Sequence, residues 1–568
     1  MSLRALLRSN LNSSFLVTIT GRVAFLKIIA FLSILLYSSA ACTLPGIGTA
    51  SSPTATAEHA PLTLTVLPAA ATSNLASPSR PEILTAVSET PSPPGSTARP
   101  LNSPTLFTAL QSTSTSTPLL LSTPAPNRTQ YSLNVVLDYA GHTLDVEQHI
   151  TYVNTTPGSL AALPLVVEAR RYPGAFQLLS VTDSRGARFS DFQWKDTLLT
   201  LALPAELAPG DAARFTLAYS LRLPGLDTLA NTRPHPLGYN SQQVIFGDWY
   251  PSVPPFVPGK GWLAHPPAMY GEHLVYEIAD FEVAIRFTDG QSNLVIAASA
   301  PAVQDGEWLR FSHTASRSFA WSASSYYQVA SQEVQLAEGQ VVEVSSYFFA
   351  YHENAGRALL DGMTQALVLY SNLFGAYPHP ALAGVQVGFM DGMEYDGLFF
   401  LSTDFYNWFK DPPADFLVAL AAHEVAHQWW SGLVGSDQAL QPWLDEALCT
   451  YSEHIYYENL YPEALEWWWE YRVNYYQPAG WVDISVYDVP QEFGYYRKYR
   501  DPVYLRGALF LDELRQLLGD STFFASLRQY VARYTYQQAS AGGFVDILRQ
   551  NTPADLSPIL TKYFKNLK

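Results

Sequence analysis

Cysteine is nearly missing from this 568-residue chain. It has two, Cys42 and Cys449, so no disulfide framework is expected. Charge is scarce as well, at 15% of residues, and basic charge is the scarcer kind: 33 Lys and Arg stand against 50 Asp and Glu, for a net charge of −17. With no basic stripe to neutralise phosphates, nucleic acid is excluded as a partner. An acidic surface favours solubility and carries no information about substrate. Tryptophan is absent before residue 190; all thirteen follow it. No repeat of solenoid period is present. What the chain does have is length beyond one ordinary domain, 48% hydrophobic residues and a high aromatic share of 13%, enough for large cores.

The first 42 residues read as an export signal. Arg4, Arg8, Arg22 and Lys27 form a positive flank before the apolar run Ile28 to Leu36, and Ser38, Ser39, Ala40 and Ala41 lead into Cys42. Small residues directly before a cysteine resemble a bacterial lipoprotein processing site, with Ser39 standing where leucine is usual. A lipidated Cys42 on an exported, outward-facing, membrane-anchored protein is the preferred expectation. An uncleaved membrane anchor or a plain secretory signal are the alternatives. Residues 43–129 hold no Trp, Tyr or Lys, and Phe107 is their one aromatic. This Ser/Thr/Pro-rich composition cannot bury enough apolar surface to offset the entropy of ordering, so it predicts a disordered tether.

Strand patterning starts at Tyr131. Apolar residues alternate through Tyr131, Leu133, Val135 and Leu137, through Leu144, Val146, Ile150 and Tyr152, through Phe215, Leu217, Tyr219, Leu221 and Leu223, and through Phe281, Val283, Ile285 and Phe287. Period two means half-buried strands, and residues 130–330 are expected to form an all-β domain. The period then changes. Leu359, Met363, Ala366, Leu367 and Tyr370 fall at helical spacing, and residues 331–568 are expected to be mainly helical.

The chemistry lies in the second half. His423-Glu424-Val425-Ala426-His427 sits in an apolar run preceded by Asp411, a predicted N-cap, with Pro412 at the first helical position. In a helix the two histidines are one turn apart on one face and can reach one ion. Glu424, rotated by about 100°, can touch a metal-bound water without being a ligand, which suits a general base. Eighteen residues separate His427 from Glu446 in Trp443-Leu444-Asp445-Glu446-Ala447. Two histidines and a carboxylate leave the fourth position of a zinc ion open for catalysis. Glu453, two helical turns beyond Glu446, is placed either to hold the far nitrogen of a zinc histidine or to face solvent, and Cys449 reads as a buried structural thiol.

These residues resemble the aminopeptidase N family of gluzincin metallopeptidases, which carries the same pentapeptide continued by Gln-Trp and a zinc-binding glutamate at this spacing within Trp-Leu-Asn-Glu-Gly. Asp445 and Ala447 depart from that pattern. Asp391-Gly392-Met393-Glu394-Tyr395 resembles the family's Gly-Ala-Met-Glu-Asn segment, and Tyr504-Leu505-Arg506-Gly507 its Tyr-x-Lys-Gly segment. The resemblance implies one zinc per chain on His423, His427 and Glu446. It implies Glu424 as base, Tyr504 as donor to the oxyanion, and Gly392, Met393 and Glu394 as substrate-binding residues, with Glu394 on the free α-amino group. Gln242 or Gln243 would supply a substrate contact from the β domain. The implied architecture is multidomain: a β-saddle domain, then a thermolysin-like catalytic domain, in a short form without the family's C-terminal helical domain. The implied activity is hydrolysis of the N-terminal bond of peptides with a free N-terminus. A metallo-endopeptidase on the same core, and a non-catalytic surface peptide-binding lipoprotein, are the alternatives.

Overall fold

The computed structural model describes residues 128–567, apart from Ser190, residues 227–234 and residues 289–292. The leader, Cys42 and nearly all of the tether lie outside the described residues. Among the described residues, no helix is long and apolar enough to cross a membrane.

The first half is built of sheets, as the period-two runs require. A seven-stranded sheet runs in the order 302–305, 308–316, 279–287, 129–138, 143–153, 212–222 and 176–183. Its central pair sets Val135 opposite Val146 and Leu137 opposite Leu144. This register puts every alternating residue of the two strands on one face, where Tyr131, Leu133, Val135, Leu137, Leu144, Val146, Ile150 and Tyr152 are all buried. A three-stranded sheet (160–166, 198–207, 192–195) and a four-stranded one (295–298, 321–324, 244–246, 237–239) complete this half. Trp249 and Trp321 are fully buried in its core, and the Trp249 indole donates to the Phe319 carbonyl at 2.9 Å.

The second half opens with a five-stranded sheet. Its strands are β1 (Tyr327–Gln335), β2 (Val341–Phe349), β3 (Ala381–Val387), β4 (Gly392–Tyr395) and β5 (Leu398–Ser402), in the order β1-β2-β3-β5-β4. β1 straddles position 330, where the sequence suggests the halves divide. The short β4 pairs antiparallel with β5 and is the edge of the sheet. Helix α1 (Glu353–Phe374) packs between β2 and helix α2 (Phe416–Ala426). A Cβ on Gly362 would stand 3.2 Å from Ala421 Cβ, so the two helices approach closely. Helices α3 (Trp443–Leu460) and α4 (Gly507–Leu518) follow, closing a core that includes Trp429, Trp430, Trp443 and Trp468.

Helix α2 begins later than its sequence suggests. Asp415, not Asp411, is the N-cap, its Oδ1 accepting from Leu417 N at 2.9 Å while Oδ2 accepts from Lys410 N at 3.0 Å. The residue before a proline is driven out of helical conformation, so Pro412 ahead of Pro413 cannot start the helix. From Leu417 to Ala426 every residue is buried, which marks a helix enclosed on all sides.

The halves meet at the turn between β4 and β5. Asp396 Oδ2 accepts from Arg317 N at 2.7 Å and from Ser316 Oγ at 3.1 Å, and the Asp396 carbonyl meets His313 Nε2 at 3.1 Å. Gly397 has φ +75°, and a Cβ there would lie 2.2 Å from the Ser299 carbonyl, so the β half closes directly onto this turn. The Arg317 guanidinium donates to three carbonyls, Gly432 O at 2.8 Å, Tyr276 O at 2.9 Å and Gln537 O at 3.0 Å. Arg317→Met would leave those carbonyls and Asp396 without their cation. It is expected to lower stability by roughly 3–5 kcal/mol, measured by chemical denaturation, with a loss well under 1 kcal/mol contradicting this role for the bridge.

Candidate active site

The helical spacing of the pentapeptide has its intended result. His423 and His427 lie at the C-terminal end of α2 with ring centroids 4.9 Å apart. The first turn of α3 brings Glu446 against them, 3.2 Å from His423 Nε2 and 3.7 Å from His427 Nε2 through the same Oε2. Metal–ligand distances of about 2.0–2.1 Å at tetrahedral angles put donor atoms about 3.3 Å apart. The three side chains are buried and their donor atoms lie within 4.8 Å of one another. They fit a single tetrahedral ion.

The far nitrogens of both imidazoles are also held. His423 Nδ1 meets Glu453 Oε1 at 2.9 Å, so of the two placements open for Glu453 the structure takes the one behind the histidine. Glu453 is itself fully buried and clamped by Arg472 at 2.7 and 2.8 Å and by the Trp468 indole at 2.9 Å. Burial alone would raise its pKa, but Arg472 and His423 outweigh that and bring it down to about 2, so it stays an anion. His427 Nδ1 meets Asp445 Oδ1 at 2.7 Å. With both Nδ1 atoms engaged, both Nε2 atoms are turned toward the ion position. Cys449 is buried, its Sγ 3.9 Å from Asp445 Oδ1.

Around the ligands lies a cavity of about 260 Å³. Glu424 lines it, and its buried Oε2 has no protein partner. Burial, opposed by His427 and His423, pushes its carboxyl up to about 8, the range a proton-shuttling group needs. Tyr504 reaches in from a π-helical turn, Asp501–Arg506, that leads into α4, and donates to Glu446 Oε1 at 2.6 Å. Burial first, then the neighbouring Glu446, raises its phenol well above the ordinary value, so at neutral pH it is a proton donor.

Edge strand β4 supplies the opposite wall. A Cβ on Gly392 would stand 2.2 Å from Glu424 Oε1, so the strand backbone and the Glu424 carboxylate lie close together here. Two residues on, Glu394 Oε1 is 4.0 Å from His427 Nδ1 and accepts from Gln438 Nε2 at 3.1 Å. Burial raises the pKa of Glu394, against the pull of His427. Met393 lines an adjoining recess with Glu394, Gln438 and Arg317. Asp391, at φ +69°, accepts from the Tyr496 hydroxyl at 2.7 Å and so ties the start of β4 to the helical side.

The contact expected from the β domain comes from elsewhere. Gln243 is fully buried and donates to Gln386 O at 3.0 Å and to the Tyr327 hydroxyl, while Gln242 accepts from Tyr351 at 3.4 Å. Neither lines the cavity; the pair is spent on joining the halves. Glu272 lines it instead, hydrogen-bonded to Glu446. Burial raises its pKa first, and the charges of Glu446, Glu394 and Asp445 raise it further. It stands in the irregular stretch between Trp262 and Ala279, where the sequence has no periodicity to flag it.

Residues 360–563 match the peptidase family M1 domain. The chain is similar to aminopeptidase M1-D of Oryza sativa subsp. japonica, 25% identical over 245 residues, which is 40% of this chain and 27% of that protein. It is also similar to the leucyl aminopeptidase of Saccharolobus solfataricus, 24% identical over 155 residues, which is 25% of this chain and 19% of that one. The matched stretch thus spans less than a third of these relatives. Among solved structures, an M1 zinc metallopeptidase from Deinococcus radiodurans superposes with a TM-score of 0.55 at 17% identity, covering 78% of this chain and 96% of that one. A mutant of it bound to the substrate Tyr-Ser-Ala gives 0.54 at 18%, covering 78% and 95%. What is shared is the fold, a β-rich half followed by a helical half.

The purified protein is expected to hold about one zinc per chain. Elemental analysis of His427→Ala checks this, because retention of a full equivalent would show that the ion sits elsewhere.

Proposed function

We propose that this chain, whose catalytic half is a peptidase family M1 domain, is a zinc-dependent aminopeptidase that removes the first residue from peptides with a free N-terminus. The observation that carries the reading is that three metal-ligand atoms, the buried base Glu424 and the carboxylate Glu394 border one cavity. His423, His427 and Glu446 would hold the ion, which when bound supplies Lewis-acid activation of water and of the scissile carbonyl.

The remaining chemistry belongs to the chain's own groups. Glu424 takes a proton from the attacking water as the C–O bond forms, and delivers it to the amide nitrogen as the C–N bond breaks. The Tyr504 hydroxyl, aimed into the cavity, donates to the oxygen on which charge develops. Glu394 and Glu272 face the substrate's ammonium, which supplies the positive charge these two buried carboxyls otherwise lack. Gly392, next to Glu424, and Glu394, next to His427, fix the direction of the peptide. Its amine lies at Glu394, and the leaving portion runs past Gly392 along the free edge of β4, antiparallel to it. On that far side the wall is apolar, with Met390, Phe405, Trp408, Phe416 and Leu420.

The sequence supports an exported, outward-facing lipoprotein anchored through Cys42, with residues 43–129 as the tether. In membrane fractionation, Cys42→Ala is expected to release the enzyme; an unchanged membrane fraction would make an uncleaved helix the anchor.

Two variants separate the roles at the centre. Glu424→Ala is expected to abolish turnover of every peptide with metal content unchanged. Glu394→Ala is expected to lower kcat/KM on free aminoacyl substrates by about two orders of magnitude, roughly 3 kcal/mol, because a blocked or unmatched amine site leaves a buried charge uncompensated. If the wild type cleaves N-acetylated peptides as fast as free ones, the endopeptidase reading replaces this one.

A further inference from the structure

Gln438 stands between the amine-binding corner of the site and the support of its metal ligands. Its Nε2 donates to Glu394 Oε1 at 3.1 Å and to Asp445 Oδ2 at 2.6 Å, with Ser431 Oγ at 3.5 Å. Asp445 in turn holds His427 Nδ1 at 2.7 Å through its other oxygen. One carboxamide nitrogen therefore connects the carboxylate assigned to the substrate's amine with the carboxylate behind a metal ligand. Asp445 itself is a departure from the asparagine of the resembled family.

We propose that Gln438 is a positioning residue that makes amine recognition and metal retention a single unit; the proposal rests on the aminopeptidase reading. Glu394 and Asp445 are two buried acids in one corner, and like charges that close would push each other out of position. A primary amide has two N–H groups and can give one to each acid, so it holds both without adding charge. A metal on His427 Nε2 requires the proton on Nδ1, and Asp445 Oδ1 accepts it, fixing the ring. The orientation of Asp445 depends on what holds its second oxygen, and that is Gln438. Loss of the amide frees Glu394 to swing from the amine position and frees Asp445 to rotate away from His427. Glu394→Ala, by contrast, disturbs only the first of these.

The test uses the full-length zinc enzyme, with two readouts: KM and kcat on a free aminoacyl substrate, and the chelator concentration that removes half of the zinc. Gln438→Leu is expected to raise KM roughly tenfold with kcat within about threefold, and to release zinc at about tenfold lower chelator. In a Glu394→Ala background the same change should leave KM where Glu394→Ala alone puts it, while still weakening zinc retention. Asp445→Asn should weaken zinc retention without the rise in KM. Gln438→Lys guards against a folding defect: its ammonium can hold Asp445 and so keep zinc, yet it occupies Glu394 and keeps KM high. The proposal is overturned if Gln438→Leu changes KM or zinc retention alone, if its KM effect persists in full without Glu394, or if the Lys variant loses zinc as the Leu variant does. The zinc readout does not depend on turnover. Zinc-loaded wild type that ignores the state of the substrate's amine would therefore sink the aminopeptidase reading by itself.

Discussion

Six carboxyl groups, those of Glu272, Glu394, Glu424, Asp445, Glu446 and Glu453, meet in and behind one cavity, and the need to compensate their charge governs the rest of the site. A buried carboxylate without a partner costs several kcal/mol. Glu453 has Arg472 as its dedicated cation and is held down near 2. Glu424 and Glu446 are pushed up to about 8, burial being the first cause in both, and Glu272 and Glu394 rise as well. Arg472 is thus committed to Glu453, and on the proposed function a divalent ion at the histidines and a substrate ammonium at Glu394 and Glu272 would offset the charge of the others.

The β half contributes to this through position rather than mass. It grips the turn beside the site, where Arg317, Ser316, His313 and the Ser299 carbonyl meet Asp396 and Gly397. The strand ending at that turn carries Glu394. The loop bearing Glu272 belongs to the β half and meets Glu394 across the cavity, while the metal ligands come from the two helices. Closing the halves on each other is what brings the two sets together.

Much of this was legible in the sequence, for reasons particular to each element. His423, Glu424 and His427 are set by helical geometry over one turn, and Glu446 and Glu453 by two turns of the next helix, so their spacing is their arrangement. The β half was legible because its central strands bury one face only. The resemblance supplied Glu394 and Tyr504, whose roles no periodicity marks. Glu272 was not legible, since an irregular segment places its side chains by tertiary contacts alone. The same holds for Gln438, whose partners are separated from it by turns without a repeat. Gln242 and Gln243 were singled out by the resemblance, but the Gln243 amide is engaged by Gln386 O and the Tyr327 hydroxyl. The cap of α2 moved from Asp411 to Asp415 because a second proline overrode the first.

Strand β4 is the edge of its sheet, and besides the Glu394 carboxylate it offers peptide N–H and C=O groups that a peptide laid along it would contact. A contact of that kind is made with the portion of a peptide that all peptides share, so it grips any sequence and discriminates little. It is also hard to lose by mutation, because changing a side chain leaves a backbone where it was. Asp391, Gly392 and Tyr395 all differ from the residues of the resembled family, yet the strand keeps its place at the edge of the sheet. In the aminopeptidase proposed above, an edge of this kind would suit mixed peptides rather than one sequence.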